Sequence, residues 1–278
     1  MHRMKTFMLM FILILVFIFL GGAIAGEQGM IMAFIFALVI NVLSYWHSDK
    51  IAIKMTKARP LSEKEAPEIH EMVRKLSNKA RIPKPRVYIT PSNQPNAFAT
   101  GRNPDNGVVA VTEGIMGLLN KEELEGVIAH ELAHIKNRDT LISTIAAVMA
   151  GALAFLARMG RFQMLFGGRR RSNNKGALIQ IIAMVFAPLA AIIIRMAISR
   201  SREYLADEEG ARIAGKGDGL ASALQKMQNY AQNREMKVNQ ATSHMFIINP
   251  FSGRGGISKL FSSHPPTEER IQKLRTIR

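Results

Sequence analysis

The chain has 278 residues, of which 48% are hydrophobic, and its 37 Lys and Arg against 21 Asp and Glu give a formal net charge of +16 at pH 7. It has no cysteine, which excludes disulfide bonds and thiolate metal ligands. No nucleic-acid-binding motif or interleaved aromatic platform accompanies the positive charge, so we expect no nucleic-acid partner. Many of the cations flank apolar blocks, which instead favours a lipid bilayer with anionic headgroups as a partner.

Two apolar blocks near the N-terminus predict a transmembrane hairpin over residues 1–48. Residues 7–25 contain no charge, and residues 30–46 are interrupted only by Asn41 and Ser44 as polar residues. Each block is close to the roughly 20 residues that a helix needs to cross a bilayer. The short connection GEQG between them is typical of a membrane hairpin.

A cleaved signal peptide is the alternative for the first block, because Arg3 and Lys5 resemble a positive n-region. The length of the block and the second block directly after it favour the hairpin. The connection carries only one charge, Glu27, whereas a basic cluster follows the second block: Lys50, Lys54, Lys57 and Arg59. The positive-inside rule then places both ends of the hairpin in the cytoplasm.

Residues 49–139 predict the first half of a catalytic domain. Helical spacing of apolar residues over 61–79 predicts a helix, which a proline-rich stretch then ends. Two short β-branched runs, 86–89 and 108–112, predict strands and therefore a small β-sheet.

A helix that opens with the capping pair Asn120 and Glu123 carries the chemistry. It contains the motif H-E-x-x-H, in which His130 and His134 project from one helix face and can bind one zinc ion. Glu131 is offset from His130 by about 100° around the helix, which directs it toward the attacking water rather than the metal. We therefore predict Glu131 to be the general base; two structural histidines are the alternative.

Two further apolar blocks, 140–156 and 177–194, predict a second apolar hairpin over residues 140–196. They either cross the membrane twice or form a buried or interfacial hairpin, because each is barely long enough to span and the basic run 169–171 between them opposes export. Residues 197–278 then form the second half of the catalytic domain.

A catalytic zinc needs a third protein ligand, and Glu203 is the best candidate. Asp207 lies four residues later, on the same helical face, where it can orient a metal-binding histidine. On residue type alone, a solvated helix face with both acids paired to Arg200 and Arg202 is the more common arrangement.

Four motifs together resemble the M48 metallopeptidases, specifically the membrane-bound heat-shock peptidases of the HtpX type. The motifs are His-Glu-Leu-Ala-His134 followed by Asn137 and Asp139, Ser-Arg-Ser-Arg-Glu-Tyr-Leu-Ala-Asp207, Asn96-Ala-Phe-Ala99, and Ser263-His-Pro-Pro-Thr267.

The resemblance implies Glu203 as the third ligand of one Zn²⁺ per chain. It also implies an edge strand at Asn96, Ala97, Phe98 and Ala99, to which an extended substrate adds as another strand. His264 is a possible active-site residue by the same resemblance, although its motif is also a good helix start.

The implied fold is a mainly α membrane protein in which a zincin-like α+β domain with a small sheet is interrupted by the second hairpin. The implied activity is endopeptidase cleavage of damaged or misfolded membrane proteins, as stress-response quality control. The expected location is the inner or plasma membrane, with several spans and the active site facing the cytoplasm.

Two other functions share these motifs. A CaaX-type prenyl-protein peptidase would use the same metal site on a lipidated tail, but its relatives have more spans and longer chains. A catalytically silent zinc-binding membrane scaffold is the second alternative. Glu131 argues against the scaffold, because a structural site has no need of a base beside its ligands.

Overall fold

The computed structural model describes residues 2–145, 148, 200–234, 245–248 and 265–277. They fall into two compact units. One contains the N-terminal helix up to Trp46; the other, called the globular unit, contains His47–Leu141 and the described residues from 200 onward. The apolar blocks predicted over 140–156 and 177–194 lie outside the described residues, except for 140–145 and 148.

The first helix, α1 (His2–Trp46), reverses direction at Gly26, where φ is +61°. The ring centroids of Phe17 and Phe36 lie 5.7 Å apart. A straight helix would separate these two positions by about 28 Å. Gly21 lies so close to the backbone of Gly29 that a β-carbon there would clash with it. The two arms of α1 therefore pack side by side.

The outer surface of α1 is apolar. Large side chains such as Phe11, Phe19 and Met32 are 60%, 73% and 68% exposed. Among the described residues, Gly26–Trp46 is long and apolar enough to cross a membrane by length and composition, and Met10–Phe19 is a shorter apolar helix. An apolar surface of this extent is unfavourable in water and favourable in hydrocarbon.

A four-stranded mixed sheet forms one layer of the globular unit. Its strands are β1 (Arg59–Pro60), β2 (Arg86–Thr90), β3 (Ala97–Thr100) and β4 (Val108–Thr112), in the order β1-β2-β4-β3. The pair β2 and β4 is parallel and the other two pairs are antiparallel. Every residue of β4 is buried, whereas β3 lies at an edge of the sheet.

Seven α-helices and a short 3-10 helix (Pro104–Asn106) complete the described part of the globular unit. The α-helices are α2 (Ser48–Thr56), α3 (Pro67–Ala80), α4 (Glu113–Leu118), α5 (Lys121–Asn137), α6 (Arg200–Ala214), α7 (Asp218–Asn233) and α8 (Thr267–Leu274). Helix α5 lies at the centre, where it packs against α3, α6, α7 and β3. Its residues Val127, Ile128 and Leu132 are fully buried in the main core.

The predicted start of α5 is confirmed. The side chain of Asn120 accepts from the N–H of Glu123, and the Glu123 carboxylate accepts from the N–H of Asn120, which completes a capping box.

The predicted helix over 61–79 begins later, at Pro67. Its first residues form a turn instead, because the Glu65 carboxylate accepts from both the N–H and the hydroxyl of Ser62. Such local side-chain hydrogen bonds compete with helix formation.

Candidate metal centre

Three predicted ligands converge between two helices. His130 and His134 project from α5, and Glu203 projects from the first turn of α6. The Nε2 atoms of the two histidines are 3.1 Å apart, and the carboxylate oxygens of Glu203 lie 3.8 Å from Nε2 of His130 and 3.5 Å from Nε2 of His134. Ligand atoms about 2.05 Å from a tetrahedral zinc lie about 3.3 Å from one another. The N, N, O donor set therefore fits one such ion.

The two acids of α6 are buried, with Glu203 5% and Asp207 4% exposed. The alternative of a solvated helix face is therefore wrong. Arg270 from α8, rather than Arg200, is the cation that contacts both acids, at 3.8 Å from Glu203 and 2.7 Å from Asp207. Burial of two neighbouring carboxylates is costly unless cations or hydrogen bonds compensate them.

Asp207 holds the far side of the first histidine. Its Oδ1 lies 3.0 Å from Nδ1 of His130, and both of its oxygens accept hydrogen bonds from the guanidinium of Arg270, at 2.7 and 2.8 Å. Burial opposes ionisation of Asp207, but the charge and hydrogen bonds of Arg270 lower its pKa to about 2. The ionised carboxylate directs Nε2 of His130 toward the other two ligand atoms.

The second histidine has a similar contact on its far side. Nδ1 of His134 lies 3.3 Å from Oδ2 of Asp139, just beyond the end of α5. Oδ1 of Asp139 lies 3.9 Å from the guanidinium of Arg202. Each histidine therefore has one nitrogen at the ligand cluster and the other nitrogen beside an acid.

The acidic groups around the cluster favour the binding of a cation. Burial disfavours protonation of His134, but Asp139, Glu203 and Glu131 outweigh it and raise its pKa to about 9. Burial lowers the pKa of His130, which favours the neutral imidazole that binds metals.

Glu131 lies beside the cluster and is 5% exposed. Burial raises the pKa of its carboxyl group to about 7, although a hydrogen bond from the backbone N–H of Ala99 acts in the opposite direction. A carboxyl group with a pKa near neutrality is suited to general acid–base work near pH 7. The same hydrogen bond joins Glu131 to the edge strand β3.

The register of β3 shows which of its backbone groups face outward. The N–H of Thr112 donates to the carbonyl of Asn96, at 2.9 Å. Because facing directions alternate along an antiparallel strand, the backbone groups of Ala97 and Ala99 point away from β4. The side chain of Phe98 is buried against Ala52 and Ala110.

The amide of Asn96 is buried and holds another part of the chain. It donates to the carbonyl of Met245, at 3.1 Å, and accepts from the N–H of Ile247, at 3.1 Å. Residues 245–248 are therefore fixed beside the start of β3. Arg270 contacts the same segment, because it donates to the carbonyl of Ile247 at 2.9 Å.

Two buried residues near the cluster, Arg270 and Asp139, have no predicted role. Asp139 belongs to the first quoted motif, and Arg270 follows the last quoted motif by three residues. Arg270 is also a charged residue at an apolar helix position, which is a recognisable signal. His264 from the same motif lies outside the described residues.

A close approach of the two helices makes the cluster possible. Gly210 lies on α6 one turn beyond Asp207, and a β-carbon there would come within 2.9 Å of the backbone N and Cα of His130. Only glycine fits at this contact without displacement of a helix.

A histidine pair on a buried helix, a carboxylate from a second helix and an acid beside an open strand edge form a candidate metal site of the kind that metallopeptidases use. The model of peptidase family M48 matches residues 63–278, and the chain belongs to this family. The predicted family is thereby confirmed.

Relatives match over nearly the whole chain. Proteins named "Protease HtpX homolog" are 54% identical in Salinibacter ruber, over 99% of this chain and 97% of the relative, and 51% identical in Pelotomaculum thermopropionicum, over 100% and 99%. A relative of the same name from Pyrococcus abyssi is 54% identical, over 98% and 95%. The predicted similarity to the HtpX type is confirmed.

The crystal structure of S. mikatae Ste24p has a similar fold, with a TM-score of 0.53 at 18% sequence identity. The match covers 86% of this chain and 57% of the Ste24p chain. The likeness shows the shared fold, and the family together with the histidine and glutamate cluster implies a metal cofactor.

Proposed function

We propose that this chain is a membrane-bound zinc endopeptidase that cleaves damaged or misfolded membrane proteins on the cytoplasmic side. The observation that carries the proposal is the convergence of three ligand atoms from His130, His134 and Glu203 within 4.8 Å of one another. Two neutral nitrogens and one carboxylate oxygen are the ligand set of several catalytic zinc sites, which keep a fourth position open.

The residues of the site divide the chemistry among them. When bound, zinc supplies a Lewis acid for the scissile carbonyl and lowers the pKa of water toward neutrality. Glu131 accepts the proton of the attacking water and delivers it to the leaving amine. Asp207 keeps the His130 ring oriented, and Arg270 keeps Asp207 ionised.

The outer edge of β3 is the proposed substrate site. Ala97 presents its backbone N–H and C=O away from β4, so an extended peptide can pair there as an additional strand. The hydrogen bond from the N–H of Ala99 to Glu131 supports this assignment, because a peptide paired with β3 would lie next to the proposed base. Asn96 and Phe98 serve the site indirectly, since their side chains are engaged in holding 245–248 and in the core.

The membrane part of the proposal follows from the apolar surface of α1 and the basic residues after it. We infer that the N-terminal hairpin crosses the inner or plasma membrane twice and that the segment 140–196 crosses twice more. The globular unit then lies in the cytoplasm, where its basic residues contact anionic headgroups.

The test uses the full-length protein purified in detergent, with its zinc content measured alongside cleavage of an unprenylated membrane protein. The wild type should contain about one zinc per chain and cut within a loop. Glu131→Gln should retain zinc and lose hydrolysis, because an amide cannot accept the proton of water. Comparable turnover by this variant would exclude Glu131 as the base, and cleavage restricted to prenylated tails would favour the CaaX-type alternative.

A further inference from the structure

Each of the two histidines lies beside an acid, and each acid lies beside an arginine. On the His130 side the pair is Asp207 and Arg270, which join through two hydrogen bonds. On the other side, Asp139 lies 3.3 Å from Nδ1 of His134.

Arg202 is the arginine of the second pair, and its distance of 3.9 Å from Asp139 makes this a charge contact. The side chains of Asp139 and Arg202 are only 6% and 12% exposed. At low exposure a charge contact is screened less by water than at the surface. Arg200, two residues earlier on the same helix, is exposed.

The second pair also lies where the chain leaves and re-enters the globular unit. Asp139 follows the end of α5 at Asn137, and the hydroxyl of Thr140 donates to the carbonyl of Gly101, at 2.9 Å. Arg202 lies in the first turn of α6. The contact therefore joins the two ends of the segment between Leu141 and Arg200 directly beside a metal ligand.

We propose that Asp139 is a positioning residue that orients His134 for the metal, and that Arg202 in turn fixes Asp139. The proposal rests on the proposed zinc site and goes beyond it. It links the orientation of His134 to the contact that joins the two ends of the segment between α5 and α6. Loss of a carboxylate that orients a metal-binding histidine lowers metal affinity by about 10- to 100-fold.

The experiment measures the zinc dissociation constant by chelator competition in the full-length protein. Asp139→Asn should weaken zinc binding by about 10- to 100-fold. Arg202→Gln should weaken it by less, in the same direction, since Asp139 remains. Added zinc should restore cleavage by Arg202→Gln, which a folding defect would not permit. The matched controls are Asp105→Asn and Arg200→Gln, which change exposed residues of the same types.

Wild-type zinc affinity in Asp139→Asn would overturn the proposal. If that variant does not fold, Arg202→Gln decides, and an affinity equal to that of Arg200→Gln would overturn it as well. A wild-type protein that binds no zinc would contradict the proposed function itself, which separates the two failures.

Discussion

Neighbouring residues of the candidate metal centre differ in their proposed roles because their side chains contact different groups. His130 and Glu131 are neighbours on α5, yet one faces Asp207 and the ligand cluster while the other faces the backbone of β3. Burial raises the pKa of Glu131 and lowers that of His130, so each group is shifted toward its neutral form. A metal near both restores the negative charge of the acid and uses the neutral imidazole directly.

The proposed third ligand has a direct test. Glu203→Ala should reduce zinc occupancy to the level of His130→Ala, because either change leaves two protein ligands. The matched control is Glu208→Ala, an exposed glutamate of the same helix that pairs with Arg212. Full occupancy in Glu203→Ala would direct the search to another carboxylate, with Asp207 first.

Arg270 has a structural test. It is 1% exposed, and its replacement by methionine leaves Asp207 and Glu203 without their main cation. Breaking a buried pair of this kind costs about 3–5 kcal/mol of the free energy of unfolding. Thermal unfolding of Arg270→Met in detergent should therefore occur well below the wild-type temperature, whereas Arg275→Met, an exposed change on the same segment, should have little effect. Equal unfolding temperatures for the two variants would contradict the role.

At the scale of elements, the close contact of α5 and α6 sets the geometry of the cluster. Gly210 allows the helices to approach until Glu203 reaches both histidines. The small residue is needed because the atoms it faces belong to the α5 backbone, which cannot rotate away as a flexible side chain can.

Gly210→Ala should therefore weaken zinc binding and lower stability, since overpacking costs about 1–3 kcal/mol and displaces one helix from the other. Chelator competition and thermal unfolding measure the two effects. Gly117→Ala is the control, because this exposed helical glycine has open space around it. Unchanged zinc affinity in Gly210→Ala would show that the helices do not need this contact.

The elements differ in how far local sequence determines them. The strand 108–112 and the capped helix α5 are predicted at their observed positions, because a short run of β-branched residues and a capping box are local signals. The helix 61–79 was predicted six residues too early, because apolar spacing does not register the turn that Glu65 forms.

Contacts between residues far apart in the sequence cannot be predicted from local sequence patterns. The pairing of Glu203 with the histidines came from family resemblance, since a glutamate beside two arginines is as typical of a solvated face. Arg270 of α8 donates to Asp207 of α6, and the residue spacing within either helix does not indicate this contact. His264 lies outside the described residues, so its possible active-site role stays a prediction.

At the scale of the whole molecule, the two halves of the metal site lie on either side of the segment 140–196. If His134, which precedes it, and Glu203, which follows it, bind one ion, the chain must lie on the same side of the membrane before and after the segment. Two crossings or none are compatible with the site, and a single crossing is not.

The absence of cysteine allows this topology to be measured. Single cysteines at Ser172 and Ser62 are labelled in intact cells with an impermeant thiol reagent. Two crossings predict labelling at Ser172, which lies outside the described residues, and protection at Ser62 in the globular unit. Protection at both sites would indicate a segment that does not span, and labelling at Ser62 would contradict a cytoplasmic active site.

The separation of the site residues along the chain also determines when the site can form during translation. A ribosome adds about 5–20 residues per second, so residues 135–202 take about 3–14 s to synthesise after His134. A further interval of similar length separates Glu203 from Arg270. The growing chain therefore contains both histidines of α5 several seconds before it contains Glu203, the proposed third ligand, and longer still before it contains Arg270. Under the proposed function, the nascent chain cannot cut its own unfolded segments or those of its neighbours during translation.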